Sequence, residues 1–316
     1  MTDLFPTPDS ICKAHERIAP YVHRTPVLTC ETLNNLVGGE VFFKCENFQR
    51  AGAFKYRGAT NAVLLAGKEA QQRGVSTHSS GNHAQALALA ARVHGCKAYI
   101  VMPSDSPDVK VNAVKDYDAE ITFCEPTLIS REETLAKVVE KTGAVIIHPY
   151  DDYRIIAGQA TACKELLEDV QNFDLILAPV GGGGLLSGTA LSAAYFGKSI
   201  RVVAAEPEMA NDAWKSYQAG KIIPSENPKT IADGLKTSLC EKTFGIIQKY
   251  VDDIVTVDEE SIRKAMFFIW ERMKIVIEPS SAVPVAALLE NKIKIHNLRC
   301  GIILSGGNVS FRDIIK

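Results

Sequence analysis

Lys55 lies in Ala53-Phe54-Lys55-Tyr56-Arg57-Gly58, beside aromatic residues at the start of a helical pattern. A partly desolvated lysine amine can form a Schiff base; taken alone, the same residue also reads as a solvated surface lysine. Ser79-Ser80-Gly81-Asn82-His83 follows an apolar strand and opens a helix. Two hydroxyls, an amide and helix-start N–H groups suit a carboxylate, although an N-cap with a turn glycine needs no ligand. Pro179-Val180-Gly181-Gly182-Gly183-Gly184-Leu185 also joins a strand to a helix. Its bare backbone and helix dipole favour a phosphate. It lacks both the dinucleotide GxGxxG spacing and the Lys-Ser/Thr of a nucleoside-triphosphate loop, and a flexible turn is the alternative. Ser305-Gly306-Gly307-Asn308 ends the last apolar strand, as a ligand loop or a simple turn. Glu206 and Asp212 flank a loop and could share a hard cation with backbone carbonyls, or be two solvated acids. His83 and His148 are acid–base candidates or structural histidines.

These loops need a scaffold. Apolar runs at Val41–Lys44, Val75–His78, Ala98–Met102, Glu120–Phe123, Val145–Ile147, Leu175–Val180, Val202–Glu206, Ile254–Val257 and Gly301–Leu304 read as strands. Amphipathic helices are expected at Ala84–Val93, Arg131–Lys141, Thr161–Leu167, Leu185–Tyr195 and Glu259–Met273. Continuous rather than alternating apolar strands suit parallel sheets buried on both faces, so the fold class is α/β. An eight-unit barrel fits the count equally. The units between Val75 and Ile147 could form a small sheet of their own, with a larger sheet built from both chain ends and a cleft between them.

Composition narrows the function. The chain has 316 residues, 46% hydrophobic and 23% charged, as expected of a soluble globular protein. Lys+Arg 35 against Asp+Glu 37 gives a net charge of −2, which leaves no basic field for nucleic acid or an anionic membrane. Eight cysteines without a CxxC pair point to reduced thiols and a cytoplasmic location. Leu175 to Gly197 carries no charge, but Pro179 and the glycine run would break a membrane helix. Met1–Asp9 is polar with two prolines, so no secretory leader is expected.

Taken together, the loops resemble fold-type II pyridoxal-phosphate enzymes of the serine racemase and serine/threonine dehydratase family. The likeness runs from about His15 to Asn308. It includes His23-Arg24-Thr25-Pro26-Val27-Leu28-Thr29, Phe43-Lys44-Cys45-Glu46-Asn47-Phe48-Gln49, Thr230-Ile231-Ala232-Asp233-Gly234 and Ser305-Gly306-Gly307-Asn308-Val309. It implies a fold like the tryptophan synthase β subunit, with two open parallel-sheet lobes and the cofactor between them. The barrel is thereby dropped. Residues 1–73 and 148–316 would form the large cofactor lobe, and 74–147 a small, mobile substrate lobe.

The resemblance makes Lys55 the Schiff-base residue, Phe54 a neighbour of the pyridine ring and Gly181, Gly182, Gly183 and Gly184 the phosphate loop. Asn82 would bond the phenolic oxygen and Ser305 the ring nitrogen. Ser80 matches the opposite-face acid of serine racemases, although hydroxyaspartate dehydratases also keep a serine there. Ser79, Ser80, Asn82, His83 and Arg131 would surround the substrate carboxylate. Glu206, Asp212 and the Ala210 carbonyl match a divalent-cation site for Mg or Ca. Gln85, Tyr117, Lys274 and Asn308 match an ATP-effector site, from which Arg50-Ala51 and Cys30-Glu31 depart. Ala160 and Asp118 replace family glycines, and Tyr150 replaces a pocket asparagine.

The expected activity is serine racemisation with β-elimination to pyruvate and ammonia, by a homodimer acting on a small amino acid. The alternatives are a serine, threonine or 3-hydroxyaspartate dehydratase and, from another class, a non-catalytic amino-acid- or nucleotide-binding protein. With so little chain after Asn308, no C-terminal regulatory domain is expected.

Overall fold

The computed structural model describes residues 5–106 and 108–311. Among these residues the strands are β1 Val27–Thr29, β2 Glu40–Cys45, β3 Val75–His78, β4 Ala98–Pro103, β5 Glu120–Cys124, β6 Val145–Ile146, β7 Leu175–Pro179, β8 Arg201–Pro207, β9 Asp253–Val257 and β10 Arg299–Leu304. The helices are α1 Pro8–Ile18, α2 Glu31–Val37, α3 Lys55–Arg73, α4 Asn82–Val93, α5 Asp108–Lys115, α6 Leu128–Thr142, α7 Tyr153–Asp169, α8 Gly184–Phe196, α9 Asp212–Ala219, α10 Glu241–Tyr250, α11 Glu259–Met273 and α12 Pro279–Leu289.

The strands make two sheets, ordered β1-β2-β10-β7-β8-β9 and β5-β4-β3-β6. Pairing is parallel throughout except at β1, which runs antiparallel to β2 with Val27 opposite Lys44. β1 is an edge strand of three residues, too short to leave a periodic signal in the sequence.

Alternation within the buried strands sorts the core of the larger sheet. Phe43, Leu177, Val203 and Ile302 pack on one face with Met266 of α11 and Val283 of α12. Ile176, Val202, Ile254 and Ile303 pack on the other with Leu166 of α7 and Leu186 of α8. In the smaller sheet, Val75, Ile100 and Met102 pack against Leu87 of α4 and against Tyr56 and Ala59 of α3. Helix α3 therefore starts beside the large sheet and contributes to the core of the small one.

Helices α3 and α12 carry no continuous amphipathic stripe, and α7 is longer than the sequence reading expects. Residues 56–63 of α3 are buried without interruption, which removes the polar stripe that marks an amphipathic helix. In α12 residues 279–288 are all buried, and Pro284 sits inside the helix. Helix α7 begins at Tyr153 rather than Thr161, because the Asp152 side chain accepts from the Arg154 N–H and caps an earlier turn. Beneath α3 lies a buried ionic cluster. Arg57 reaches Glu46 at 2.7 Å and Glu165 at 2.8 Å, while Lys44 meets Glu165 at 2.7 Å.

The charge-free stretch from 175 to 197 divides into β7, the glycine loop and α8. No helix among the described residues is long and apolar enough to cross a membrane. All eight cysteines are free of disulfides.

Candidate active site

Lys55 is the first residue of α3, and its Nζ donates to the Pro149 carbonyl at 2.9 Å. Burial lowers its pKa to about 8, with the Glu278 carboxylate pulling the other way. The Phe54 ring centroid lies 5.2 Å from Nζ and the Tyr150 centroid 6.0 Å. The backbone holding this lysine is pinned to the end of β10: the Phe54 N–H donates to the Ser305 carbonyl at 3.0 Å, and Ala53 bridges Gly306. The Ser305 hydroxyl is buried 3.0 Å from Ser281 Oγ, which also engages Gly306 N and O.

The glycine loop connects β7 to α8, and its four residues are buried. Gly183 has φ +86° and caps α8, a left-handed conformation that favours glycine. A Cβ on Gly182 would lie 2.5 Å from the Tyr150 ring, so only hydrogen fits there. The first N–H groups of α8 have no partner within the helix and face an anion-favouring dipole. This set fits pyridoxal phosphate: a desolvated amine for the aldehyde, bare N–H groups for the phosphate and a hydroxyl for the ring nitrogen.

The serine loop leaves β3 of the small sheet. Ser79 and Ser80 are half-buried, and Ser79 Oγ accepts from the Gly81 N–H at 3.3 Å. Asn82 crosses the cleft, donating from Nδ2 to both Glu278 oxygens at 2.8 and 3.0 Å and accepting from Asn308 at 3.0 Å. The His83 ring points into the small lobe and bonds the Ile147 carbonyl at 3.1 Å. Burial keeps that imidazole neutral, so it offers a ligand its backbone N–H rather than its ring. His148 is likewise held down, to about 4, by burial and by His78; its Nδ1 accepts from the Asp151 N–H at 2.8 Å. Arg131 lies in the first turn of α6, where its Nε is buried without an acceptor; burial holds the nearby His78 below its ordinary value, opposed by Glu132 and aided by the Arg131 charge.

Glu206 ends β8 and Asp212 begins α9, with Ala210 in the turn between them. The Glu206 oxygens accept from Ala213 N at 2.9 Å and Trp214 N at 2.8 Å. Burial raises Glu206 well above the usual carboxylate range and Asp212 to about 6. Neither Asp212 oxygen has a well-formed hydrogen bond, although the Ser225 hydroxyl is near enough to favour its anion. An open buried Asp212 beside a Glu206 held by two backbone N–H groups fits a divalent cation. The nucleotide candidates are dispersed. Gln85 is buried in α4, Tyr117 packs beside the small-lobe core, and Lys274 caps α11 with Nζ 2.5 Å from the Glu271 carbonyl. Asn308 alone joins the cleft directly, through Asn82 and the Ala51 carbonyl at 2.7 Å.

Sequence reasoning missed Glu278, Ser281 and the Pro149 carbonyl. Glu278 left one signal: it precedes Pro279, and a proline at a helix's first position marks the preceding residue as its N-cap.

The family profile described as "Pyridoxal-phosphate dependent enzyme" matches residues 18–306. The chain is 51% identical to a serine racemase of Arabidopsis thaliana over 311 residues, covering 96% of this chain and 94% of that protein. It is 49% identical to a beta-hydroxyaspartate dehydratase of Paracoccus denitrificans over 304 residues, covering 96% of each. The structure of maize serine racemase superposes with a TM-score of 0.95 at 46% identity, covering 98% of this chain and 95% of that one.

Proposed function

The chain belongs to the pyridoxal-phosphate dependent enzymes, and we propose that it interconverts L- and D-serine while also converting serine to pyruvate and ammonia. The observation that carries this reading is that Asn82, in the hydroxyl-bearing loop, bonds Glu278, the carboxylate that acts on the Lys55 amine. Lys55 comes from the start of α3, Ser80 from the end of β3, and the Asn82–Glu278 contact ties the two sides together.

Bound pyridoxal phosphate supplies an electron sink that acidifies the substrate Cα–H. The Lys55 amine, lowered to about 8, can accept that proton near neutral pH. Ser80 is assigned the return of a proton to the opposite face, which turns deprotonation into racemisation. Ser305 offers the ring a hydroxyl, which cannot hold a proton on nitrogen as firmly as a carboxylate. Ser79, Asn82, the His83 N–H and Arg131 are assigned to the substrate carboxylate; support comes from the open Arg131 Nε and the α4 N-terminus.

Glu206, Asp212 and the Ala210 carbonyl are assigned to Mg or Ca. ATP remains an effector candidate at Gln85, Tyr117, Lys274 and Asn308, supported by the Asn308–Asn82 bond. A homodimer in the cytoplasm, with residues 74–147 moving on the rest, completes the reading; the free thiols support a reducing compartment. The second reading is a dehydratase of serine, threonine or 3-hydroxyaspartate with little racemase activity, its 3-hydroxyaspartate form favoured by the Paracoccus relative.

Incubating the holoenzyme with L-serine, L-threonine and both 3-hydroxyaspartate diastereomers, with chiral analysis of residual substrate, separates these readings. D-Serine should accumulate from L-serine, and Ser80→Ala should abolish it while sparing much of the pyruvate. Equal loss of both products would remove Ser80 from its role, and ammonia without any D-serine would favour the dehydratase.

A further inference from the structure

Lys110 of α5 and Asp233 of the large lobe form an ion pair across the mouth of the cleft. Lys110 is largely buried, with 15% of its side chain exposed, and its Nζ stands 3.8 Å from where a Cβ on Gly81 would lie. The ammonium thus sits over the serine loop. Asp233 is anchored from below. The N–H of the next residue, Gly234, donates to Ser280 Oγ in the first turn of α12 at 3.1 Å. Leu235 packs so closely on the phosphate loop that a Cβ on Gly181 would come within 2.9 Å of its Cα. Glu278 feels both charges, Asp233 disfavouring its anion and Lys110 favouring it. The Asp233 and Glu278 carboxylates and the Lys110 ammonium therefore share this mouth beside Asn82, with the Lys55 amine also feeling Glu278.

That arrangement has a consequence for substrate charge. A β-hydroxy amino acid with a neutral side chain leaves the pair intact. A second carboxylate on the β-carbon adds a negative charge near Asp233 and Glu278, where Lys110 is the cation placed to offset it. Because Asp233 already pairs with Lys110, such a carboxylate would have to compete with it for the same ammonium.

We propose that Lys110 is a specificity-determining residue for β-hydroxy amino acids with an acidic side chain, and that Asp233 is its internal competitor. The assignment rests on the amino-acid chemistry proposed above. A plain interlobe tie requires Lys110→Gln and Asp233→Asn to act alike, since each breaks the same pair. A charge-reading lysine requires them to act in opposite directions.

The test compares kcat/KM for elimination of L-serine and L-threo-3-hydroxyaspartate by the holoenzyme, with cofactor absorbance confirming that each variant is folded and loaded. Lys110→Gln should lower the hydroxyaspartate/serine ratio by about tenfold, mainly through KM. Asp233→Asn should raise the ratio, and Lys110→Arg should largely preserve it. The hydroxyaspartate KM should also rise with salt more steeply than the serine KM, and Lys110→Gln should remove that difference. Loaded variants whose ratios stay put, or move together, overturn the assignment to Lys110 and leave the cofactor chemistry standing. A loaded wild-type enzyme inert toward both substrates overturns the functional reading and this assignment with it.

Discussion

Lys55 and Glu278 show how burial and charge divide control of one proton. Burial pushes the lysine down to about 8 and Glu278 partly opposes it; burial, reinforced by Asp233, pushes Glu278 up to about 7. A neighbouring anion favours the ammonium, so removing it must lower Lys55 further. In the cofactor-free protein, Glu278→Gln should move the midpoint for acylation of Lys55 below the wild-type value of about 8. Mass-spectrometric counting of Lys55 modification against pH reads this directly, and an unchanged or higher midpoint contradicts the coupling. Lys55 was legible through the resemblance of its whole motif, since taken alone it also reads as a solvated surface lysine. Its regulator was hidden, since Glu278 is 223 positions away in sequence and touches the site only once α12 packs on β10.

The turn from β8 to α9 carries its own balance. Glu206 accepts two N–H groups from the first turn of α9 and so caps that helix from another element. Asp212 has no comparable support, and burial raises it from the usual 3.8 to about 6. The folded state then binds more protons than the unfolded one between those values, so stability falls as pH rises through that window. A divalent cation should reverse the loss only where Asp212 is ionised. Thermal unfolding at about pH 7.5 should show a midpoint raised by Mg or Ca and lowered by chelator, and near pH 5 the effect should vanish. Asp212→Asn should be insensitive to both additions; a cation response surviving in that variant rules out the site. Here spacing alone exposed the residues, because both acids fall within one short connection. The spacing could not distinguish buried acids from solvated ones, which depends on packing around β8. For the same reason α12 escaped the sequence reading and only the start of α3 was read: α12 and the first half of α3 are buried on all sides and lose the period that advertises a helix.

At the scale of the whole molecule, the large sheet is assembled from both ends of the chain, since β2, with β1 on its outer edge, pairs with β10, which pairs in turn with β7, only after the small sheet has intervened. The alternation of apolar strands with helices made the α/β class legible, and the family resemblance chose two sheets over a barrel, whereas no local pattern could specify what joins the early segment to the late one. Part of that join is ionic. Lys44, Glu46 and Arg57 belong to the first stretch and Glu165 to the second, all four almost completely buried. Arg57 bonds Glu46 through Nε and a terminal nitrogen, and meets both Glu165 oxygens at 2.8 Å. Burial alone would raise Glu165; hydrogen bonds and charge from Arg57 and Lys44 hold it below the usual 4.5 instead. Its contribution to stability is therefore present above that value and lost as pH falls through the depressed one. Removing Arg57 strands buried negative charge, a change that costs about 3–5 kcal/mol. Arg57→Met should show a loss of that size in urea unfolding at neutral pH, with the difference from wild type narrowing in acid as Glu165 becomes protonated. Arg57→Lys keeps the charge but lacks the planar fork, and should fall between them. Because Arg57 is two residues from Lys55 on the first turn of α3, the loss should also broaden the pH profile of Lys55 modification, as the helix start loses its fixed position. A loss within about 1 kcal/mol, the size of an exposed pair, would show that the two segments are held by their apolar contacts alone.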